Sequence, residues 1–339
     1  MSLAVLNKNL QKVIAGVNLS FDEANDTMLD LMSGEASDAE IGAFLAALKA
    51  KGETIDEISG LANGMREKAV KINTNHESVI DIVGTGGDKA GTFNISSTSA
   101  FVIAGAGIAV AKHGNRSISS KSGAADVLEA LGININGEIS QIESQLNNIG
   151  ITFLFAPKVN LSMKYVMKAR KDLGIPTVFN VLGPLTNPVK LSGQVLGVYK
   201  DDLVLPMAKS LQKLGIKKAV VVYGAGGLDE ASLSGDNHVA IVNGDVITEQ
   251  KINSKDLGLL SVPNTELIGG TPAENAEITL AILKGEKGAK RDAVLLNSAL
   301  GILAADRAED IKEAIEIAKE SIDSGKALEK LQQYINISK

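Results

Sequence analysis

Five stretches of this 339-residue chain combine residue types that could bind a small polyanion. The first is Gly84-Thr85-Gly86-Gly87-Asp88. Its glycines let backbone approach a ligand closely and turn amides toward an anion. The spacing fits neither the P-loop nor the dinucleotide GxGxxG fingerprint, and a tight strand-to-helix turn would need the same glycines. The second is Asn94-Ile95-Ser96-Ser97-Thr98, where oxygen-bearing side chains cluster at an expected helix start. Free N–H groups there favour phosphate, although a simple N-cap would account for any one of these residues. The third, KHGNRSISSKSG (112–123), sets Lys112, Arg116 and Lys121 among hydroxyls and amides directly after an apolar run. Lysine offers phosphate a point charge and arginine a bidentate fork. A solvated loop is the alternative, weakened by the position after a strand, because open α/β sheets bind ligands at the carboxyl ends of their strands. His113 alone reads as a structural histidine.

The fourth stretch runs from Gly224 to Glu230 and ends in Asp229-Glu230. Adjacent carboxylates on a glycine-rich loop suit Mg²⁺, which takes one or two carboxylates and keeps several waters. An exposed acidic pair would look the same. The fifth, FNVLGPLTNP (179–188), is a stiff loop, either a wall beside a ligand or an interdomain crossing. Arg170 precedes it on an expected helix and could face it. Three strand ends thus offer glycine amides, cations and a candidate metal pair, which implies a phosphorylated small molecule carried with Mg²⁺. No serine-hydrolase elbow, HExxH or EF-hand loop is present.

Composition narrows the classes. Lys plus Arg is 34 and Asp plus Glu is 40, so the net charge of −6 argues against nucleic acid as a partner. Aromatics are 3% with no Trp, which disfavours base-stacking platforms. The absence of Cys excludes disulfides, thiolate metal sites and a catalytic thiol. Lys8, Gln11 and Lys12 interrupt any secretory apolar core, and the longest apolar run, 101–111, is too short to span a bilayer. A cytoplasmic protein without membrane association is expected.

The elements that must position these residues fall in two groups. The first 70 residues read as helices, with capping boxes at Ser20-x-x-Glu23, Ser37-x-x-Glu40 and Thr54-x-x-Glu57. Behind the last two, Ile41, Phe44, Leu45, Leu48 and then Ile55, Ile58, Leu61, Met65 form apolar stripes, and Gly34 and Gly52 suit the C′ position. From Val79 strands alternate with helices: strands at 79–83, 108–111, 151–155, 195–199 and 220–223, with a helix at 123–131 between. That order predicts a mostly parallel sheet. The C-terminal third reads as helical, with Thr271-Pro272-x-Glu274 as a further capping box and an amphipathic stretch at 311–322.

Over essentially its whole length the chain resembles the anthranilate phosphoribosyltransferase family. The resemblance is carried by GTGGD (84–88), FNIS (93–96), KHGNRSISSKSG (112–123), LGIPTVFNVLGPLTNP (173–188) and GLDE (227–230), and extends to 34–54 and to RDAVLLNSA (291–299). It implies an α/β protein: a small all-helical domain (1–73 plus about 162–188) hinged to a large α/β domain with a mostly parallel central sheet (about 74–161 plus 189–339). It also implies a homodimer through the helical domain, and transfer of phosphoribose from phosphoribosyl pyrophosphate to the amino group of anthranilate.

Carried over by motif position, the donor would be held by Gly84, Thr85, Gly87, Asp88, Thr92, Asn94, Ser96, Ser97, Lys112, Asn115, Ser119 and Ser120. Mg²⁺ would be held by Ser96, Asp229 and Glu230, and anthranilate by Gly84, His113, Asn115, Arg170 and Pro184, with Arg170 on the carboxylate. The chain departs from the family pattern at Ser97, usually Thr; at Asn160, usually His; at Pro176, usually Arg; and at Tyr223, commonly His. A pyrimidine nucleoside phosphorylase shares the architecture but needs no pyrophosphate-bound Mg²⁺, and GTGGD with KHGNR fits it poorly. A non-catalytic nucleic-acid-binding relative is disfavoured by the charge.

Overall fold

The computed structural model describes residues 3–117 and 121–339. The chain runs α1 (Ala4–Ile14), α2 (Phe21–Leu31), α3 (Asp38–Lys51), α4 (Ile55–Lys68), β1 (Val79–Gly84), α5 (Ile95–Gly105), β2 (Ala109–Gly114), α6 (Ala124–Ala130), α7 (Ile139–Ile149) and β3 (Ile151–Phe155). It continues through α8 (Ala156–Val159), α9 (Lys164–Leu173), α10 (Phe179–Leu182), β4 (Gly193–Gly197), α11 (Val204–Lys213), β5 (Lys218–Tyr223), β6 (Asp236–Asn243) and β7 (Val246–Asn253). It closes with α12 (Pro272–Leu283), α13 (Ala289–Ala304), α14 (Ile311–Asp323) and α15 (Lys326–Ile337). Two compact units result: residues 1–71, 157–188 and 209–215, and residues 72–156, 189–208 and 216–339.

The first unit is helical. All three predicted capping boxes form, with the Ser20, Ser37 and Thr54 hydroxyls accepting from Glu23, Glu40 and Glu57 N–H, and each carboxylate returning to the cap. Two orphan amides are thereby satisfied at each helix start. The predicted stripes are buried at Ile41, Phe44, Leu45 and Leu48 in α3 and at Ile58, Leu61 and Met65 in α4, while Ile55 at the start of α4 is half-buried. Gly52 is the C-cap itself and Gly34 lies beyond α2, both with positive φ. A Cβ on Gly34 would come within 2.8 Å of the Tyr165 ring, so close packing as well as backbone conformation requires glycine there. Arg66 on α4 donates from Nε to the Leu185 carbonyl at 2.6 Å, tying α4 to the 179–188 segment. That segment is not an irregular loop: α10 and a 3₁₀ turn over Gly183–Leu185 occupy most of it, the second with Pro184 in its first turn, where a fixed φ is tolerated.

The second unit is built on one seven-stranded sheet of order β3-β2-β1-β4-β5-β6-β7. The first five strands of that order are parallel, and β6 and β7 are antiparallel. The parallel strands are buried almost end to end, which is why they read as apolar runs, whereas β7 is largely exposed. Helix α5 packs on β1, β2 and β3, α13 packs on β1, β4 and β5, and the two helices pack on each other. Their burial makes one apolar core running from Ile80 to Tyr334.

The hairpin β6–β7 corrects the expectation of a wholly helical C-terminal third. Asn243 pairs with Val246 across Gly244-Asp245, with φ +59° at Gly244. A two-residue turn with glycine leading is a hairpin signal, and it overrides the helical content around it. Thr271 caps α12 as predicted, with Pro272 in its first turn. Among the described residues no helix is long and apolar enough to cross a membrane.

Candidate active site

The chemistry-bearing residues of the second unit meet at the carboxyl ends of β1, β2, β4 and β5. Gly84 and Gly197 end β1 and β4 and are register partners. Neither could carry a side chain. A Cβ on Gly84 would lie 2.2 Å from Asp229 Oδ2, and one on Gly197 would lie 1.5 Å from the Asp229 carbonyl oxygen. A Cβ on Gly224, just after β5, would meet the Glu230 carbonyl oxygen at 2.0 Å. Three glycines therefore let the Asp229-Glu230 loop settle directly on the sheet edge.

Once there, the two carboxylates reach two other turns. Asp229 Oδ2 accepts from Gly86 N–H at 2.6 Å, and Glu230 Oε1 accepts from Ser96 N–H at 2.9 Å, inside the first turn of α5. Thr92 Oγ1 donates to Glu230 Oε2 at 3.4 Å. From β2, Lys112 donates to the Ile82 carbonyl at 2.6 Å and to Ser96 Oγ at 3.2 Å, and is 4% exposed. The glycine turn, the α5 start, the lysine and the acid pair thus form one constellation. Asn94 does not cap α5. Its amide instead bonds Ser122, through Nδ2 to the carbonyl at 3.3 Å and Oδ1 from the hydroxyl at 3.2 Å, and accepts from Asn275 at 2.9 Å. With the Asn94 side chain turned away, the α5 amide of Ser96 is taken by Glu230.

Electrostatics reinforces the geometry. Burial, then the charge of Asp88, pushes the Asp229 carboxyl up to about 7. Burial and the charge of Asp229 hold Glu230 well above the carboxylate range. Burial lowers the Lys112 ammonium, against the opposing pull of Asp81, Glu230 and Asp229. Asp88 Oδ2 is buried without a hydrogen-bond partner. The site thus has an unpartnered carboxylate oxygen and two crowded carboxylates, with the buried cation Lys112 beside them. That donor set of hard oxygens fits a divalent cation such as Mg²⁺. Among the described residues no three acidic or imidazole groups make a closed cage, and Mg²⁺ needs none, because water and substrate phosphates complete its shell.

The remaining predicted residues are placed as follows. Thr85 and Gly87 lie in the loop after β1, where Thr85 N–H donates to Gly197 O at 2.9 Å. Ser97 is buried, and its hydroxyl has no hydrogen-bond partner. His113 donates from its backbone to buried Asp81 at 3.1 Å. Asn115 is exposed, and its Oδ1 accepts from Arg116 N–H. Ser119 and Ser120 lie outside the described residues. Arg170 and Pro184 belong to the first unit. The Arg170 guanidinium sits over the Phe179 ring at 4.7 Å, so it does face the 179–188 segment, and partial burial lowers its pKa.

Arg116 departs from expectation. Its fork is spent on Glu129, at 2.6 and 2.9 Å, and on Asp126 at 2.9 Å, which holds it well above the ordinary guanidinium range. The opposite charges on α6 capture it, so it braces the loop rather than offering a phosphate contact. Sequence reading missed Gly197, Asn275 and Asn297. A lone asparagine within an apolar helical run was the available signal for the last.

The chain is similar to known proteins over nearly its whole length. The glycosyl transferase family α/β domain matches residues 76–328, and the helical bundle domain of that family matches 8–69. A curated relative named anthranilate phosphoribosyltransferase from Bacillus mycoides (strain KBAB4) is 51% identical over 333 residues, covering 98% of each chain. The structure of anthranilate phosphoribosyltransferase from Thermus thermophilus superposes with a TM-score of 0.92 at 40% identity, covering 97% of this chain and 98% of that one. The Saccharomyces cerevisiae enzyme in complex with PRPP and Mg gives 0.90 at 30%, covering 99% and 98%. The same yeast enzyme with 4-fluoroanthranilate gives 0.89 at 29% over the same shares.

A folded-state pKa of about 7, against 3.8 for an ordinary aspartate, makes a pH prediction for Asp229. The folded protein holds a proton that the unfolded chain releases, so this contribution is intact at low pH and is lost as pH rises through about 7. Chelator-treated protein should therefore lose thermal stability from about pH 5 to 8 more steeply than Asp229→Asn does. Equal slopes would contradict the burial argument.

Proposed function

The chain belongs to the anthranilate phosphoribosyltransferase family and transfers the phosphoribosyl group of phosphoribosyl pyrophosphate to the amino group of anthranilate in tryptophan biosynthesis, and we propose that the residues around Asp229 and Glu230 hold the donor for that transfer. One observation carries this reading: two half-buried carboxylates bonded to the glycine-turn and α5 amides beside buried Lys112. Gly84, Thr85, Gly87, Asp88, Thr92, Asn94, Ser96, Ser97, Lys112 and Asn115 bind phosphoribosyl pyrophosphate. Ser96, Asp229 and Glu230 hold Mg²⁺, which supplies neutralising charge to the pyrophosphate oxygens. The yeast enzyme bound to PRPP and Mg supports that assignment.

In the reaction the bond from the anomeric carbon to pyrophosphate breaks while the arylamine nitrogen attacks the same carbon. Positive charge develops on the ribose and negative charge on the leaving group. Lys112 faces that growing negative charge in this reading, which favours the transition state over the bound donor. The amine need not be deprotonated before attack, and its proton leaves after the new bond forms. Positioning then supplies the main rate gain, up to about 7–11 kcal/mol for well-oriented reactants. Gly84, His113, Asn115, Arg170 and Pro184 shape the acceptor site. Arg170 takes the anthranilate carboxylate, its guanidinium plane already fixed by Phe179.

The enzyme acts as a homodimer through its helical unit, a reading supported by exposed Val5, Ile14 and Val17 at one end of that unit's sequence and Leu161, Tyr165 and Met167 at the other. It works in the cytoplasm.

Asp229→Asn combined with Glu230→Gln should keep the fold, checked by circular dichroism, and abolish Mg²⁺-dependent turnover. Wild-type activity in that protein would remove the cation assignment. Arg170→Ala should raise KM for anthranilate by about 10- to 100-fold, the loss of a charge-assisted contact of about 1.5–3 kcal/mol, with KM for the donor little changed. A selective loss of donor affinity would place Arg170 in the wrong site.

A further inference from the structure

Asn297 lies midway along α13, buried beside Ser298 in a stretch from Ala293 to Ala304 that is otherwise apolar. A buried amide among leucines costs free energy unless every polar atom is used. Here they are used on one target. Asn297 Oδ1 accepts from Ala231 N–H at 2.9 Å, and Nδ2 donates to the Ala231 carbonyl at 2.9 Å. A further bond from Nδ2 to Ala293 O, also 2.9 Å, locks the side chain to its own helix. Both backbone groups of Ala231 are thus held by one side chain, as a neighbouring strand would hold them. Ala231 directly follows Glu230, and the Glu230 carbonyl is itself pressed onto Gly224. One residue further, Asn237 accepts from Ser232 N–H at 2.7 Å and donates to the Ser232 carbonyl at 3.0 Å. The segment after the acid pair is therefore held at successive residues by asparagine amides.

We propose that Asn297 is a positioning residue for the acid pair. It holds the backbone after Glu230 so that Asp229 stays on the Gly86 N–H and Glu230 on the Ser96 N–H. The proposal rests on the reading of Asp229 and Glu230 as the cation-holding pair. Asn297 touches neither substrate nor cation, and it acts through the peptide of Ala231. Changes to residues behind metal ligands commonly weaken metal affinity by 10- to 100-fold, and an effect of that size is expected here.

The test is Asn297→Leu, close in volume and without the amide, beside Leu296→Ala as a control for general destabilisation of α13. Two readouts are taken: the Mg²⁺ concentration giving half-maximal turnover, and the rise in melting temperature produced by Mg²⁺ with inorganic pyrophosphate. Asn297→Leu should need about 10- to 100-fold more Mg²⁺, lose most of the Mg²⁺–pyrophosphate stabilisation, and keep its KM for anthranilate. Leu296→Ala should melt lower yet respond to Mg²⁺ as the wild type does. If Asn297→Leu does not fold, Asn297→Ser, which keeps a hydroxyl but cannot span both Ala231 groups, should shift the same two readouts in the same direction. Wild-type Mg²⁺ dependence in the folded variant, or an equal shift in Leu296→Ala, would overturn the proposal. Failure of the cation reading itself is seen separately, as retained Mg²⁺-dependent turnover in the Asp229→Asn, Glu230→Gln protein.

Discussion

Two carboxylates held close together and partly shielded from water repel each other and resist ionisation. The second unit is arranged to hold Asp229 and Glu230 in that condition. Gly84, Gly197 and Gly224 remove the side chains that would keep the loop off the sheet edge. Gly86 N–H and the first-turn amide of Ser96 each take one carboxylate. Asn297 and Asn237 hold the backbone that follows. The pair is left raised in pKa and short of positive charge, since Lys112 bonds Ser96 rather than either acid. On the proposed reading a divalent cation would relieve this condition, with pyrophosphate oxygens completing its shell, so that the strain of the acid pair favours the donor and its ion together.

The parallel sheet is what makes such a meeting possible. In a doubly covered parallel sheet the loops after neighbouring strands all emerge at one edge. The turns after β1, β2 and β5 are far apart in sequence and adjacent there. Helix α5 starts at the same edge, so its unpaired amides serve Glu230 rather than their own cap. The core beneath is continuous and apolar, which fixes the strands and therefore the edge. Of the residues proposed for the acceptor, Arg170 and Pro184 belong to the helical unit.

Local features were legible in the sequence because their partners lie close in the chain. The capping boxes at Ser20, Ser37, Thr54 and Thr271 join residues three apart, and all form. The parallel strands announced themselves as apolar runs. What escaped was set by distant partners. Arg116 read as a phosphate fork because Glu129, which captures it, sits on a helix whose facing side the sequence does not reveal. Gly197 looks like any strand-end glycine until Asp229 lies across it. Asn297 is 66 positions from the peptide it holds. The β6–β7 hairpin was missed although its Gly244-Asp245 turn follows a recognised pattern, because the helices around it dominated the reading. Asp229-Glu230, ambiguous as a bare acidic pair, took its meaning from the glycines beneath it.

The most direct test of the account is calorimetric titration of phosphoribosyl pyrophosphate into the enzyme without anthranilate, with and without Mg²⁺. If crowded carboxylates grip the donor through a divalent ion, Mg²⁺ should tighten binding by more than about tenfold, or 1.4 kcal/mol, and Asp229→Asn with Glu230→Gln should erase that difference. Donor binding of equal strength with and without Mg²⁺ in the wild-type protein would contradict it.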